Sequence, residues 1–253
     1  MSRFALSSWS LDGLLQSGVP LLDVPKRCAQ HDIHTLELCH FHLPRTDAAY
    51  QQMLRQALED AEVELSKLLI DAGDITAPDP VQRRRDVQLI HDWIDIAASL
   101  GAKEVRIDAG HQLPTPEVIE HSARGLRLCA DHAAQYGLRT VTENWHATAQ
   151  ESATLLKILE LCDGRIGLCA DTGNAEASTD KYHTLAQLFP HASSVHFKAQ
   201  YRAVGEIQIN DVERCSHLLQ QAKFDGVITL IYAEKENEWE GIEQLRRAVE
   251  PYL

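Results

Sequence analysis

Short runs of apolar and β-branched residues recur along this chain. Between them lie longer stretches in which apolar positions return every three or four residues. The short runs predict strands at about 4–8, 35–39, 64–70, 104–108, 139–143, 166–171, 194–198 and 227–232. The longer stretches predict helices at roughly 20–31, 46–61, 80–99, 115–136, 149–162, 181–189, 210–222 and 238–249. Local signals agree with this division. Thr115-Pro116, and by the same pattern Asp79-Pro80 and Val19-Pro20, put proline at a helix start, where its missing N–H costs nothing. Gly101, Gly137, Gly164 and Gly226 fall between a helix and the next strand, where a left-handed residue ends the helix. The step from strand to strand averages about 32 residues, the length of one βα unit.

Alternating βα units build either an open doubly wound sheet or a closed barrel. An open dinucleotide-binding sheet needs a glycine-rich turn after its first strand. The turn here is Ser7-Ser8-Trp9-Ser10-Leu11-Asp12-Gly13, with neither the glycine spacing nor the lysine that holds phosphates. The prediction is therefore a (β/α)8 TIM barrel, one domain spanning 1–253, with no linker or composition break to divide it.

Composition then narrows the function. Of 253 residues, 44% are hydrophobic and 24% charged, ordinary values for a folded domain with a sizeable core. The net charge of −13 repels polyanions, which disfavours nucleic acid and anionic membrane surfaces as partners. No apolar run approaches the roughly 20 residues of a membrane span, and the first residues lack a signal-peptide core, so the expected location is the cytoplasm. Cys28, Cys39, Cys129, Cys162, Cys169 and Cys215 form no Cys-x-x-Cys pair and read as reduced core residues.

A barrel gathers the C-terminal ends of its strands into one mouth, so polar residues far apart in sequence meet there. The fifth strand ends in Glu143-Asn144-Trp145-His146, the sixth in Asp171-Thr172-Gly173-Asn174, and the seventh contains His196 and Lys198. Singly, an acid at a strand end is a helix cap and a strand histidine is a core group. Together, Glu143, Asp171 and His196 are a ligand set for one divalent metal ion, Mn²⁺, Co²⁺, Mg²⁺ or Zn²⁺, with coordination positions left for a substrate. Glu37 and Asp108 read as ion pairs on the barrel rim. Lys67 and Arg106, if they face the mouth, would hold an oxygen-rich ligand. His40, His42, His111 and His146 read singly as loop histidines and collectively as a second metal or a proton shuttle. Trp9 and Trp145 offer an apolar wall for a sugar ring or simple aromatic packing.

Over essentially its whole length the chain resembles the xylose isomerase-like barrels, which include sugar and sugar-phosphate isomerases and epimerases, the inosose-pathway enzymes and, more distantly, the endonuclease IV repair enzymes. The residues that carry the likeness are Leu36-Glu37-Leu38, Glu143-Asn144, Asp171-Thr172-Gly173 and His196-Phe197-Lys198. The resemblance implies that Glu143, Asp171 and His196 are three of four metal ligands and that Arg202 contacts substrate, as does an arginine of the ketohexose epimerase branch. Two positions depart from the family. Asn174 replaces a substrate-holding histidine and keeps hydrogen-bonding capacity without titrating. Ile231 stands where strand eight commonly supplies the fourth ligand and second proton-transfer carboxylate. The expected function is a metal-dependent isomerase or epimerase type of reaction, or a dehydration, on a small sugar-like carbonyl compound. Glu143 would be the base, Lys198 and Arg202 would hold oxygens, and a homo-oligomer is left open. The alternative from another class is a sugar-binding or regulatory barrel that has lost catalysis with its fourth ligand. A DNA-repair nuclease is opposed by the net charge, Arg106 and Asn174.

Overall fold

The computed structural model describes residues 3–253. It contains eight parallel strands, β1 (Phe4–Ser7), β2 (Thr35–Cys39), β3 (Glu64–Ile70), β4 (Glu104–Ile107), β5 (Arg139–Glu143), β6 (Ile166–Asp171), β7 (Ala192–Lys198) and β8 (Val227–Ile231). They pair in chain order, and β8 pairs back to β1 to close the barrel. The helices are α1 (Asp12–Gln16), α2 (Val24–Gln30), α3 (Ala48–Asp60), α4 (Pro80–Leu100), α5 (Pro116–Ala134), α6 (His146–Ala149), α7 (Ser152–Leu161), α8 (Lys181–Leu188), α9 (Ile209–Gln221) and α10 (Glu238–Val249). No helix among the described residues is long and apolar enough to cross a membrane.

The proline starts of α4 and α5 are capped from the side chains of Asp79 and Thr115, which accept from the N–H groups of Val81 and Val118. Three expectations change. The helix expected from 20 begins with a 3₁₀ turn at Leu21–Asp23, and Pro25 opens α2. The helix expected at 149–162 is α7, which starts only at Ser152 because Glu151 is extended (φ −94°, ψ 133°), and the short α6 before it is not in the expectation. Gly226 is not the left-handed residue before β8. Lys223 is (φ 54°), while a Cβ on residue 226 would lie 2.6 Å from the Ser193 carbonyl oxygen. Gly226 is required by close approach rather than by φ.

Along the strands, residues alternate between two faces. Leu36, Leu38, Leu68, Ile70, Val105, Ile107, Val195 and Phe197 join the buried apolar cluster. The intervening positions carry Glu37, Lys67, Arg106, Ser194 and His196, all buried. Lys67 on β3 reaches Ser194 on β7, and Glu37 on β2 reaches His196 on β7 and Thr229 on β8. Neither β2 nor β3 neighbours β7, so these bonds cross the lumen. The barrel interior is thus a polar network where layers of branched apolar side chains are the common filling.

Candidate active site

Strand register builds the site. Asp171 pairs with His196 across β6 and β7, Glu143 with Cys169 across β5 and β6, and Lys198 with Ile231 across β7 and β8. Asn144, just beyond β5, locks two of these ends together. Its amide donates to the Asp171 carbonyl oxygen at 2.9 Å and its oxygen accepts from the Asp171 N–H at 2.7 Å. Asp171 Oδ1 in turn accepts from the N–H groups of Gly173 and Asn174, at 2.6 and 2.7 Å, which commits that oxygen and leaves Oδ2 facing His196 at 3.8 Å.

His196 is held from behind. Its Nε2 lies 2.7 Å from Glu37 Oε2, while Nδ1 faces Glu143 Oε1 at 3.5 Å and Asp171 Oδ2 at 3.8 Å. A carboxylate on one ring nitrogen fixes the other as the metal-facing one. Ligand atoms about 2.1 Å from a tetrahedral ion stand roughly 3.4 Å apart, and the two Nδ1 separations lie near that edge and beyond ordinary hydrogen-bond length. One nitrogen and two carboxylate oxygens, all buried, are donors of the kind a divalent ion takes. Glu37 is therefore no rim ion pair: it sits inside the barrel, orienting His196 and receiving Lys67 Nζ at 2.9 Å and Thr229 Oγ1 at 2.8 Å.

Charge around Glu143 is strongly biased. Burial disfavours its ionised form, but His196 and Arg106 overcome this and hold its pKa near 2. Oε1 accepts from Asn174 Nδ2 at 2.7 Å, and Oε2 lies 3.0 Å from Arg106 Nε without making a hydrogen bond. Burial and the neighbouring Glu143 raise Asp171 to about 6. Arg106 also pairs with Asp71 and Asp108, and its guanidinium lies 5.3 Å from the centre of the Trp145 ring.

These groups line a cavity of about 120 Å³, with Trp9, Trp145, Asn174, Lys198 and Ile231 among its walls. That is room for a small molecule. Lys198 is held by its main chain, whose N–H donates to Thr172 Oγ1 while its carbonyl accepts from the same hydroxyl, both at 2.9 Å. Its aliphatic stem crosses Gly173 so closely that a Cβ there would lie 2.5 Å from Lys198 Cδ.

Two expected ligand contacts fall outside the cavity wall. Lys67 faces the lumen below it, where Glu37 and Ser194 Oγ (3.0 Å) occupy its ammonium. Arg202 stands exposed in the loop after β7, which is closed by a bridge between Tyr201 and Ile207. The sequence reading missed Asp71 and assigned Cys169 to the core. Asp71, the first residue after β3, is an acid at a strand end like Asp171. Cys169 brings its sulfur within 4.8 Å of ligand atoms of Glu143 and His196, and its position two residues before Asp171, on the same strand face, was the available signal.

Residues 25–250 match the sequence pattern of the xylose isomerase-like TIM barrels. The chain belongs to that family. Among solved barrels of similar architecture, the IolI protein with a bound zinc atom superposes with a TM-score of 0.78 at 13% identity, covering 100% of this chain and 99% of that one. A D-tagatose 3-epimerase-like protein gives 0.76 at 20% identity, over 99% and 98%. The 3-keto-D-glucoside 4-epimerase YcjR of E. coli gives 0.75 at 14% identity, over 98% and 100%. In sequence, the probable endonuclease 4 of Thermoplasma acidophilum is 22% identical over 168 residues, 66% of this chain. This family member spans only 58% of that relative's length.

A divalent ion held by Glu143, Asp171 and His196, as proposed below, is expected to bind more weakly as pH falls. Burial and the neighbouring Glu143 raise Asp171 to about 6, so protons compete for its oxygens below that pH. Protein dialysed against Co²⁺ should retain the ion at about pH 7.5 and release most of it at about pH 5. Equal cobalt content at both would contradict the ligand assignment.

Proposed function

We propose that this chain catalyses proton transfer next to the carbonyl of a small sugar-like compound, with Glu143 as the base and one divalent ion, Mn²⁺, Co²⁺, Mg²⁺ or Zn²⁺, held by Glu143, Asp171 and His196. The observation that carries the reading is Glu143 itself. It is a buried carboxylate kept ionised, with one oxygen free of hydrogen bonds, in the wall of a cavity sized for a small molecule. The contacts that keep it ionised also make it a weak base, so the C–H it attacks must be made more acidic. Polarisation of the neighbouring carbonyl is the chemistry a bound ion supplies. Lys198 and Asn174 offer donors for substrate oxygens, and Trp9 and Trp145 offer flat apolar walls for a ring.

The solved zinc-bearing and epimerase barrels of the same architecture support this reading at the level of chemistry. Ile231 bears on the direction of the reaction. It lines the cavity with only 4% of its surface exposed and cannot return a proton. Asp71, which lines the wall together with Glu143 and Asp171, is paired with Arg106. A one-base isomerisation or a dehydration therefore fits better than a two-base epimerisation.

Solvent deuterium tests the proposal. Protein loaded with Mn²⁺, Co²⁺ or Zn²⁺ is incubated in D₂O with a panel of ketoses, aldoses, their phosphates and inososes. At least one compound should acquire deuterium at the carbon beside its carbonyl, and only with metal present. Ligands that raise the melting temperature but never exchange faster than in buffer would replace the enzyme by a sugar-binding barrel.

A further inference from the structure

A second group of metal-ligand atoms stands beside the first and takes no part in the proposed chemistry. It consists of Asp108, the residue after β4, His111 three positions on, and His146 at the start of α6. We propose that these three side chains bind a second divalent first-row transition ion, Zn²⁺ and Co²⁺ being the probes of choice.

Asp108 makes the argument. Only 5% of it is exposed, and one oxygen, Oδ1, is taken by Arg106. The other, Oδ2, is buried and has no hydrogen-bond partner, although two imidazoles point at it. His146 Nε2 stands 3.6 Å away and His111 Nε2 3.7 Å away. Both separations are too long for hydrogen bonds and only a few tenths of an ångström above the roughly 3.4 Å edge of a tetrahedral coordination shell. A buried carboxylate oxygen would ordinarily draw one histidine into a bond, so two rings held symmetrically off it leave space between three donors.

The chain spends structure on holding them there. Gly110 adopts φ +126° and packs so tightly that a Cβ would lie 2.2 Å from Thr76 Cγ2, which turns the backbone and returns His111 toward Asp108. The His111 N–H is anchored on Asp74 Oδ1 at 3.2 Å and Thr76 Oγ1 at 3.1 Å. His146 is in the left-handed region (φ 55°), uncommon for a residue with a side chain, and Trp145 stacks on its ring at 4.1 Å. The two imidazole centres are 4.1 Å apart and tilted by 47°. Their side chains are 36% and 31% exposed, which gives an ion a route to the buried oxygen.

The local charge favours a cation, since the one guanidinium of Arg106 is shared among three carboxylates, Asp71, Asp108 and Glu143. Two imidazoles and one carboxylate select Fe²⁺, Co²⁺ or Zn²⁺ over Mg²⁺ or Ca²⁺, and leave positions for water or a ligand oxygen. The two groups share no side chain, so this site stands or falls independently of the sugar reading.

Metal-stripped full-length protein is titrated with Co²⁺ and with Zn²⁺, following visible absorption for cobalt and content after gel filtration for both. Wild type should take up two equivalents. His111→Ala and His146→Ala, on partly exposed rings whose loss should leave the fold intact, should each retain one and bind the other at least 100-fold more weakly, beyond the 10- to 100-fold typical of losing a residue behind a ligand. His196→Ala should lose the other equivalent and keep this one. If the wild type binds one ion that survives both histidine substitutions, or two ions that both survive them, the proposal is overturned. A single ion lost with His111→Ala but kept in His196→Ala would uphold this site and remove the Glu143, Asp171 and His196 assignment instead.

Discussion

Glu143→Gln protein, saturated with metal, is expected to lose between about 10² and 10⁴ of the solvent-exchange rate, the usual contribution of one positioned base. The substitution is nearly isosteric. Glutamine keeps an oxygen for the Asn174 donor, and Arg106 retains Asp71 and Asp108, so the cavity wall should persist. The loss should fall on kcat, with substrate protection against thermal unfolding kept within a few fold. Saturating metal is essential, because glutamine is also the weaker ligand, and metal content is to be measured on the same sample. Exchange within about threefold of wild type, with metal bound, would take the base role from Glu143 and direct attention to Asp71, the wall acid outside the proposed ligand set.

The second large effect concerns stability. Lys67 and Glu37 are each 1% exposed, and burial opposes both charges. Their pairing wins: Lys67 and His196 hold Glu37 well below the usual carboxylate range, and Glu37 holds Lys67 above its own. Lys67→Met removes the cation and leaves Glu37 with His196 and Thr229 only. Breaking a buried pair from one side costs about 3–5 kcal/mol, and the surviving partners place this case near 3. In a chain of this size that lowers Tm by roughly 6–12 °C. Adding Glu37→Leu to Lys67→Met should return part of the stability, since two apolar side chains in place of a buried pair are often neutral or better. The same double variant should bind metal about 10- to 100-fold more weakly, because His196 has lost the carboxylate that orients it. A single Lys67→Met variant as stable as wild type would show that the lumen network does not hold the barrel.

The sequence made the barrel legible because its signals are local. Each strand is a short run with apolar or β-branched residues, and several helix ends carry their own proline, cap or glycine, as at Asp79-Pro80 and Gly101. Glu143, Asp171 and His196 were legible for a related reason, since a barrel turns position at a strand end into position in space. Their actual surroundings were not. Whether Lys67 points up into the mouth or across the lumen depends on strand tilt and on what β7 offers opposite it, and Ser194 lies 127 residues away. Cys169 looks like any core cysteine until the register sets it beside Glu143. The start of α7 at Ser152 rather than 149 is invisible to periodicity, because it is set by the extended backbone of Glu151.

The bond between Glu37 and His196 has a consequence for how such a barrel can be assembled. The three proposed ligands all come from the second half of the chain, β5 to β7, whereas the carboxylate that aims the histidine comes from β2. A half-barrel of β5 to β8 can bring the donors near one another and still leave the imidazole free to spin. Only when the two halves close does the ring acquire one orientation, so strong metal capture becomes a property of the finished cylinder. A duplicated or transplanted C-terminal half would inherit the ligands without inheriting the site.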